Sequence, residues 1–319
     1  MTTLPNHPTG LRIVPRLSRR SLLLGMAAAG GAAALTTLGY RRFAEATDTT
    51  QDKVPFWGVH QAGILTPAPA AALIVAFDVT AQNKADLTQL FKILTERIEK
   101  LTQGWTPPPE NPQFPPVDSG VLGMQVFPDN LTVTVAVGAS LFDQRFGLAS
   151  LKPQHLQAMP NYPNDQLNPE EIHGDLLLQF CSSTAETNIH ALRDILKNTP
   201  AFMTPRWKIA GFLPAHTVQT SGKGTVRNLL GFKDGTANLN TNDTAKMDQL
   251  VWVTAANNEP VWATGGSYQV VRIVRNLVER WDRTPLHEQE QVRHPQRSWW
   301  LDECDRPKGG WLSLKVSVG

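Results

Sequence analysis

The run Ala71-Ala72-Leu73-Ile74-Val75-Ala76-Phe77-Asp78-Val79 restricts the possible folds more than any other stretch of the chain. It is continuously apolar, short, and rich in β-branched and aromatic residues, which is the pattern of a buried strand. A helical period follows at once, with Leu87, Leu90, Phe91, Leu94, Ile98 and Leu101 recurring between Lys84 and Gln103. After a proline-rich loop from Pro107 to Pro116, Leu131-Thr132-Val133-Thr134-Val135-Ala136-Val137 alternates as a second strand. Leu141 to Phe146 predicts a short helical turn, and a proline- and asparagine-rich loop runs from there to about residue 170. Asp175 to Cys181 reads as a third, buried strand. Thr187 to Asn198 reads as a helix with Ile189, Leu192, Ile195 and Leu196 on one face, and Phe202 to Leu213 as a fourth strand. The order is β-α-β-β-α-β, the ferredoxin-like pattern of the α+β class.

A second half begins near residue 222. It predicts a short strand at Gln249-Leu250-Val251-Trp252-Val253 and a longer one from Tyr268 to Val278. Thr284-Pro285 then opens a helix, with the threonine as N-cap, the proline in the first turn and acids close behind. Ahead of these lies Gly231-Phe232-Lys233-Asp234-Gly235-Thr236-Ala237-Asn238. Two glycines bracket Asp234, and glycine reaches backbone angles that strain other residues. Such a turn can bring its backbone close to a flat ligand and aim one carboxylate at it. An ordinary Asp-Gly turn between two strands is the other reading of the same residues.

Residues 1–46 carry a targeting pattern and stand outside the fold. Arg12 and Arg16 lead to Ser18-Arg19-Arg20-Ser21, an Ala- and Leu-rich run continues through Leu38, and Ala44-Glu45-Ala46 offers small residues for cleavage. Twin arginines before an apolar run read as a Tat export signal. A Sec signal or a retained anchor are the other readings, since the run approaches membrane-spanning length. The net charge of +2 over 319 residues makes no case for a nucleic-acid partner. Two cysteines, Cys181 and Cys304, form no disulfide framework and no Cys-x-x-Cys pattern. Cys181 falls in the third strand, where a buried free thiol is expected.

The block Asn228-Leu229-Leu230-Gly231-Phe232-Lys233-Asp234-Gly235-Thr236-Ala237-Asn238 resembles the dye-decolorising (DyP-type) haem peroxidases, in particular their exported deferrochelatase branch. Phe56-Trp57-Gly58-Val59-His60-Gln61-Ala62-Gly63-Ile64, His173-Gly174-Asp175, Gly265-Gly266-Ser267-Tyr268 and Trp281-Asp282-Arg283-Thr284 match in the family's order. The resemblance implies two ferredoxin-like halves of the dimeric α/β-barrel type. We expect domains at 47–221 and 222–319, with haem b in the second. It implies Asp234 as the distal acid/base, with Gly235, Thr236 and Ala237 giving close backbone approach to the porphyrin. Asn238 would hold the loop, and Arg272 and Arg275 read as strand-surface charge rather than propionate partners. The segment with His60 lies near the haem pocket in the family, without a catalytic role assigned here.

Beyond Gln291 the resemblance stops. No helical or strand period appears before Trp311, and the second half is expected to be truncated, by a frame change near residue 291. The family's proximal histidine and distal arginine are not found, and neither His287 nor His294 has the family's context. His155, His190 and His216 read as loop or helix-surface residues, and no metal site is predicted. The implied activity is reduction of hydrogen peroxide with an organic reductant or haem as substrate, with release of iron from haem as a further expectation. It would act in the periplasm beside iron-uptake components, with a homodimer as the expected assembly. A truncated non-catalytic remnant, and a periplasmic haem- or iron-binding protein without turnover, are the alternatives.

Overall fold

The computed structural model describes residues 50–213, 227–232 and 238–293, together with the backbone of Ser313–Val318. The chain divides into two units, Met1–Asp48 and Thr49–Gly319, and the described residues lie in the second. The export signal proposed at residues 1–46 therefore lies outside the described residues. Among those described, no helix is long and apolar enough to cross a membrane.

The first half is built from β1 (Ala71–Val79), α1 (Lys84–Gln103), β2 (Thr132–Val137), β3 (Leu176–Ser182), α2 (Ala185–Asn198) and β4 (Met203–Phe212). The sheet order is β2-β3-β1-β4, and each neighbouring pair is antiparallel. This is the ferredoxin-like arrangement that the order of periods implies. Alternation decides the faces. Leu73, Val75 and Phe77 of β1 and Leu176, Leu178 and Phe180 of β3 join Leu90, Leu94 and Ile98 of α1 and Ala191 and Ile195 of α2 in one buried cluster.

Local chemistry fixes the helices on that face. Asn83 caps α1 by accepting from the Asp86 amide at 2.9 Å. The N-terminus of α2 receives a carboxylate from outside the helix. Asp129 accepts from the Thr184 amide (3.0 Å), the Thr184 hydroxyl (2.7 Å) and the Thr187 hydroxyl (2.8 Å). Arg97 of α1 pairs with Asp194 of α2, so the two helices are also joined by a largely buried ion pair. His190 does not lie on the helix surface as the sequence suggested. Its side chain is 1% exposed and lies 2.6 Å from Asp118. It faces inward because its partner arrives from the proline-rich loop far away in sequence. Burial would raise the Asp118 pKa, but the Gly120 amide and His190 outweigh this and hold it below the usual carboxylate range.

The second half contributes α3 (Thr244–Leu250), β5 (Val270–Arg275), α4 (Val278–Asp282), α5 (Leu286–Arg293) and β6 (Ser313–Val318). The strand expected at Gln249–Val253 is instead the end of α3 and a turn. Asp243 caps this helix by accepting from the Lys246 amide at 3.1 Å. Met247 and Val251, four residues apart, then face one small cluster with Trp252. Only Val253 keeps a strand-like role, exchanging 2.8 Å bonds with Gly265 and Gly266. The expected strand from Tyr268 to Val278 is realised as the shorter β5. It pairs with β6 in parallel, from Val270 opposite Ser313 to Arg275 opposite Val318. That pairing was not expected, although Leu314, Val316 and Val318 alternate in the sequence.

Candidate active site

The glycine-aspartate motif begins on a closed turn. Asn228 accepts from the Gly231 amide at 2.9 Å through its carbonyl, and its own amide donates to the Phe232 carbonyl at 3.0 Å. Its side-chain oxygen also accepts from the amides of Leu230 (3.0 Å) and Phe232 (3.1 Å). Asparagine at the first position and glycine at the fourth are what such a turn favours. Gly231 has φ +79°, which a side chain would resist. Arg227 closes the outside by donating to the Gly231 carbonyl at 2.7 Å. The Phe232 ring then rests on Trp281 of α4, with centroids 5.5 Å apart.

The chain leaves the motif at an equally fixed point. Leu239 packs, with Ile64 and Leu65, on the Met247, Val251 and Trp252 cluster. Trp252 is stacked flat on His60, with centroids 3.6 Å apart and the planes 5° from parallel. His60 is also bonded through Nδ1 to the Gly265 carbonyl at 2.7 Å. Gly265 takes φ +83°, which strains a side chain, and a Cβ there would press on the Val59 carbonyl oxygen at 3.2 Å. The matching segments around His60 and Gly265 therefore meet each other, and His60 joins them rather than reaching into solvent.

The segment around His60 is anchored on the first sheet by glutamines. Gln61 exchanges two 3.0 Å bonds with the backbone of Val135, filling the free edge of β2 as a strand partner would. Gln179 donates to the Gly63 carbonyl at 3.3 Å and accepts from Gln269 at 2.9 Å, which ties β3 to the residues leading into β5. His173-Gly174-Asp175 is likewise structural. Asp175 accepts from the Val79 amide at 3.0 Å and from Arg145 at 3.0 Å, so it locks the entry to β3.

A second clasp joins the loop after β2 to the second half. The Glu259 side chain is 1% exposed. It accepts from the Gln154 amide (2.7 Å) and the Tyr268 hydroxyl (2.7 Å). Arg272 pairs with Asp165 and lies over the Tyr162 ring at 5.2 Å. Arg272 is thus tied into the loop, where free surface charge on the strand was expected. Burial would raise the Glu259 pKa, but the bonds from Tyr268, Gln154 and the His155 backbone outweigh it and hold the carboxyl below the usual range. A lowered folded pKa contributes stability above the unfolded pKa and loses it as pH falls through the folded value. Acid below about pH 4 should therefore release residues 152–170. Limited proteolysis across a pH series should show a cleavage step in that loop, and Glu259→Gln should weaken the step.

Asp234, Gly235, Thr236 and Ala237 lie outside the described residues, while Asn238 lies within them, next to the anchored Leu239. The histidines described are His60, His155, His173, His190 and His287. None of them makes a hydrogen bond, ion pair or ring contact with residues 227–232. Among the described residues no group of three or more His, Cys, Asp or Glu side chains is placed to hold a metal ion. These residues thus fix both ends of the motif. Cys181 is free and half-buried, and burial pushes its thiol up to about 11.

Comparison with known proteins decides the family. Residues 61–213 match the family model "Dyp-type peroxidase, N-terminal", and residues 225–299 match "Dyp-type peroxidase, C-terminal". The chain belongs to the Dyp-type peroxidase family. This is a family of haem peroxidases, and haem is its cofactor. Among similar curated proteins, the Deferrochelatase of Yersinia pestis bv. Antiqua (strain Nepal516) is 50% identical over 299 residues, covering 90% of this chain and 68% of the relative. The Deferrochelatase of Escherichia coli O6:K15:H31 (strain 536 / UPEC) is 51% identical over 281 residues, covering 86% and 66%. The chain thus spans about two thirds of the length of these relatives. A crystal structure of a DyP-type peroxidase from Streptomyces coelicolor is 32% identical with a TM-score of 0.66, covering 77% of this chain and 63% of that one. The oxyferrous/water mixed complex of DtpA from Streptomyces lividans gives 32% and 0.66, with coverage of 77% and 64%. The ferredoxin-like α+β fold expected from the periods is the fold of these Dyp-type peroxidases.

Proposed function

We propose that this protein is an exported haem peroxidase of the deferrochelatase kind, reducing hydrogen peroxide at the Gly231–Asn238 motif. The observation that carries this reading is the closed turn at Asn228–Phe232, which delivers the family's motif from a fixed point onto a fixed point at Leu239. Bound haem supplies the oxidising chemistry. The chain's own part is proton handling, in which the Asp234 carboxylate takes a proton from one peroxide oxygen and returns it to the other so that water leaves. By resemblance to the family, Gly235, Thr236 and Ala237 would lie against the porphyrin. An organic reductant, or haem itself with release of its iron, is the second substrate. The relatives' name and the twin-arginine pattern of residues 1–46 support a periplasmic role beside iron-uptake components. The homodimer rests on the resemblance, and light scattering of the purified chain reads it.

The alternative reading is haem binding without turnover. Titration of the purified chain with haemin separates the two. The first reading expects a saturable, histidine-type absorption band near stoichiometric haem, followed by peroxide consumption. A spectrum no different from haemin adsorbed on an unrelated protein would overturn it. Saturable binding with no peroxide consumption would establish the second.

A further inference from the structure

The geometry points to a binding site for a small amphipathic carboxylate in the first half, in the cleft between the proline-rich loop and α2. The cleft encloses about 360 Å³, with Pro116, Val117 and Ser119 on the loop side and Arg193, Leu196 and Lys197 on the helix side. That volume lies at the small end of ligand clefts, so the ligand is small. Both walls are held from behind. Asp118 meets His190 at 2.6 Å with one carboxylate oxygen and accepts from the Gly120 amide at 2.7 Å with the other. Glu110 steadies the same loop by accepting from the Val117 amide at 2.7 Å. Asp194, which also borders the cleft, gives both of its oxygens to Arg97 of α1. Each oxygen of the two bordering acids is therefore already engaged from inside. The cations are not: Arg193 and Lys197 are exposed, and neither takes part in an ion pair among the described residues. Four residues apart on one helix, they stand a turn apart on the same face, where like charges oppose each other. A carboxylate between them relieves that opposition and takes charge-assisted hydrogen bonds. The end of the helix dipole accounts for a cation in the last turn, Lys197, but not for Arg193 a turn earlier. Val117, 44% exposed, and Leu196 offer apolar contact to the body of the ligand. Because both walls are fixed before a ligand arrives, binding has little to order.

The test uses the full chain without haem, so it is independent of the peroxidase reading. Benzoate, benzamide and acetate are titrated in turn at fixed ionic strength. The methyl signals of Val117 and Leu196 are followed by NMR, each assigned by its loss in Val117→Ala or Leu196→Ala. Benzoate should shift both signals saturably, with a Kd of about 1 mM. Benzamide keeps the ring and lacks the charge, so it should bind at least about tenfold more weakly, the ratio set by one charge-assisted hydrogen bond. Acetate keeps the charge and lacks the ring, so it should also bind about tenfold more weakly. Replacing both cations, by Arg193→Gln with Lys197→Gln, should weaken benzoate about tenfold or more. Both positions are exposed, so the fold should be kept, and the comparison of the three probes on the wild-type chain needs no variant. The proposal is overturned if benzoate gives no saturable shift at Val117 and Leu196, if benzamide binds equally well, or if the double variant keeps full affinity. Equal binding of acetate would reduce the cleft to a bare anion contact and overturn it as an amphipathic site.

Discussion

Asp234→Asn in the haem-loaded protein should lower peroxide turnover by about 10²–10⁴-fold, the range that one positioned acid/base contributes. Haem affinity should remain within about twofold, because the substitution conserves shape and removes only the ability to accept and return a proton. The pH dependence gives an independent sign. An ionised carboxylate is required as base, so wild-type turnover should fall on the acid side, where carboxylates become protonated. In the asparagine variant that acid limb should be gone from whatever activity survives. Stopped-flow mixing with peroxide, monitored in the Soret band, measures both. Loss of haem binding along with turnover would instead give Asp234 a structural role in the loop. The magnitude separates this from an effect on substrate affinity: removal of uniform binding raises KM and leaves kcat, whereas loss of proton transfer lowers kcat.

The first half was legible because packing and period agree there. Ala71–Val79 and Lys84–Gln103 appear with the bounds that their spacing implied. A strand between two neighbours and a helix over a sheet both have to show their burial in the sequence. The second half was less legible for the same reason. Leu250-Val251-Trp252-Val253 is a short apolar run, and such a run does not distinguish strand from helix. The deciding signals were the Asp243 cap and the four-residue step from Met247 to Val251, both lying before or across the run. His190 was misread because a polar residue on a helix is assigned to solvent unless its partner is known. Asp118 is separated from it by 72 residues. The motif containing Asp234 was visible by resemblance. The contacts flanking it were not: Asn228 acts through hydrogen bonds, Trp281 through a ring contact and Leu239 through apolar packing, none of which a period records. Glu259 was missed similarly, since a lone glutamate in a loop reads as surface until Gln154 and Tyr268 are brought to it.

Phe180→Ala should cost about 3–5 kcal/mol of folding stability, the range for removing a fully buried aromatic ring. Phe180 sits in β3 at the centre of the sheet and is 0% exposed. It is opposite Leu73 of β1 and Val133 of β2, and all three side chains point toward the helices. Its neighbours belong to three strands and two helices, so they cannot collapse onto the vacated space without moving elements that Arg97–Asp194 and Asp129–Thr184 already hold. The loss should therefore lie toward the upper part of that range. Phe212, at the end of the edge strand β4, is the control, being 78% exposed. Phe212→Ala should change stability by no more than about 0.5 kcal/mol, as surface substitutions do. Urea unfolding followed by far-ultraviolet circular dichroism reads both variants. Equal costs at the two positions would mean that the first-half core does not carry the stability assigned to it. The predicted contrast would show that the scaffold under the His60 segment is a packed ferredoxin-like unit, and that changes there can be interpreted against a rigid support.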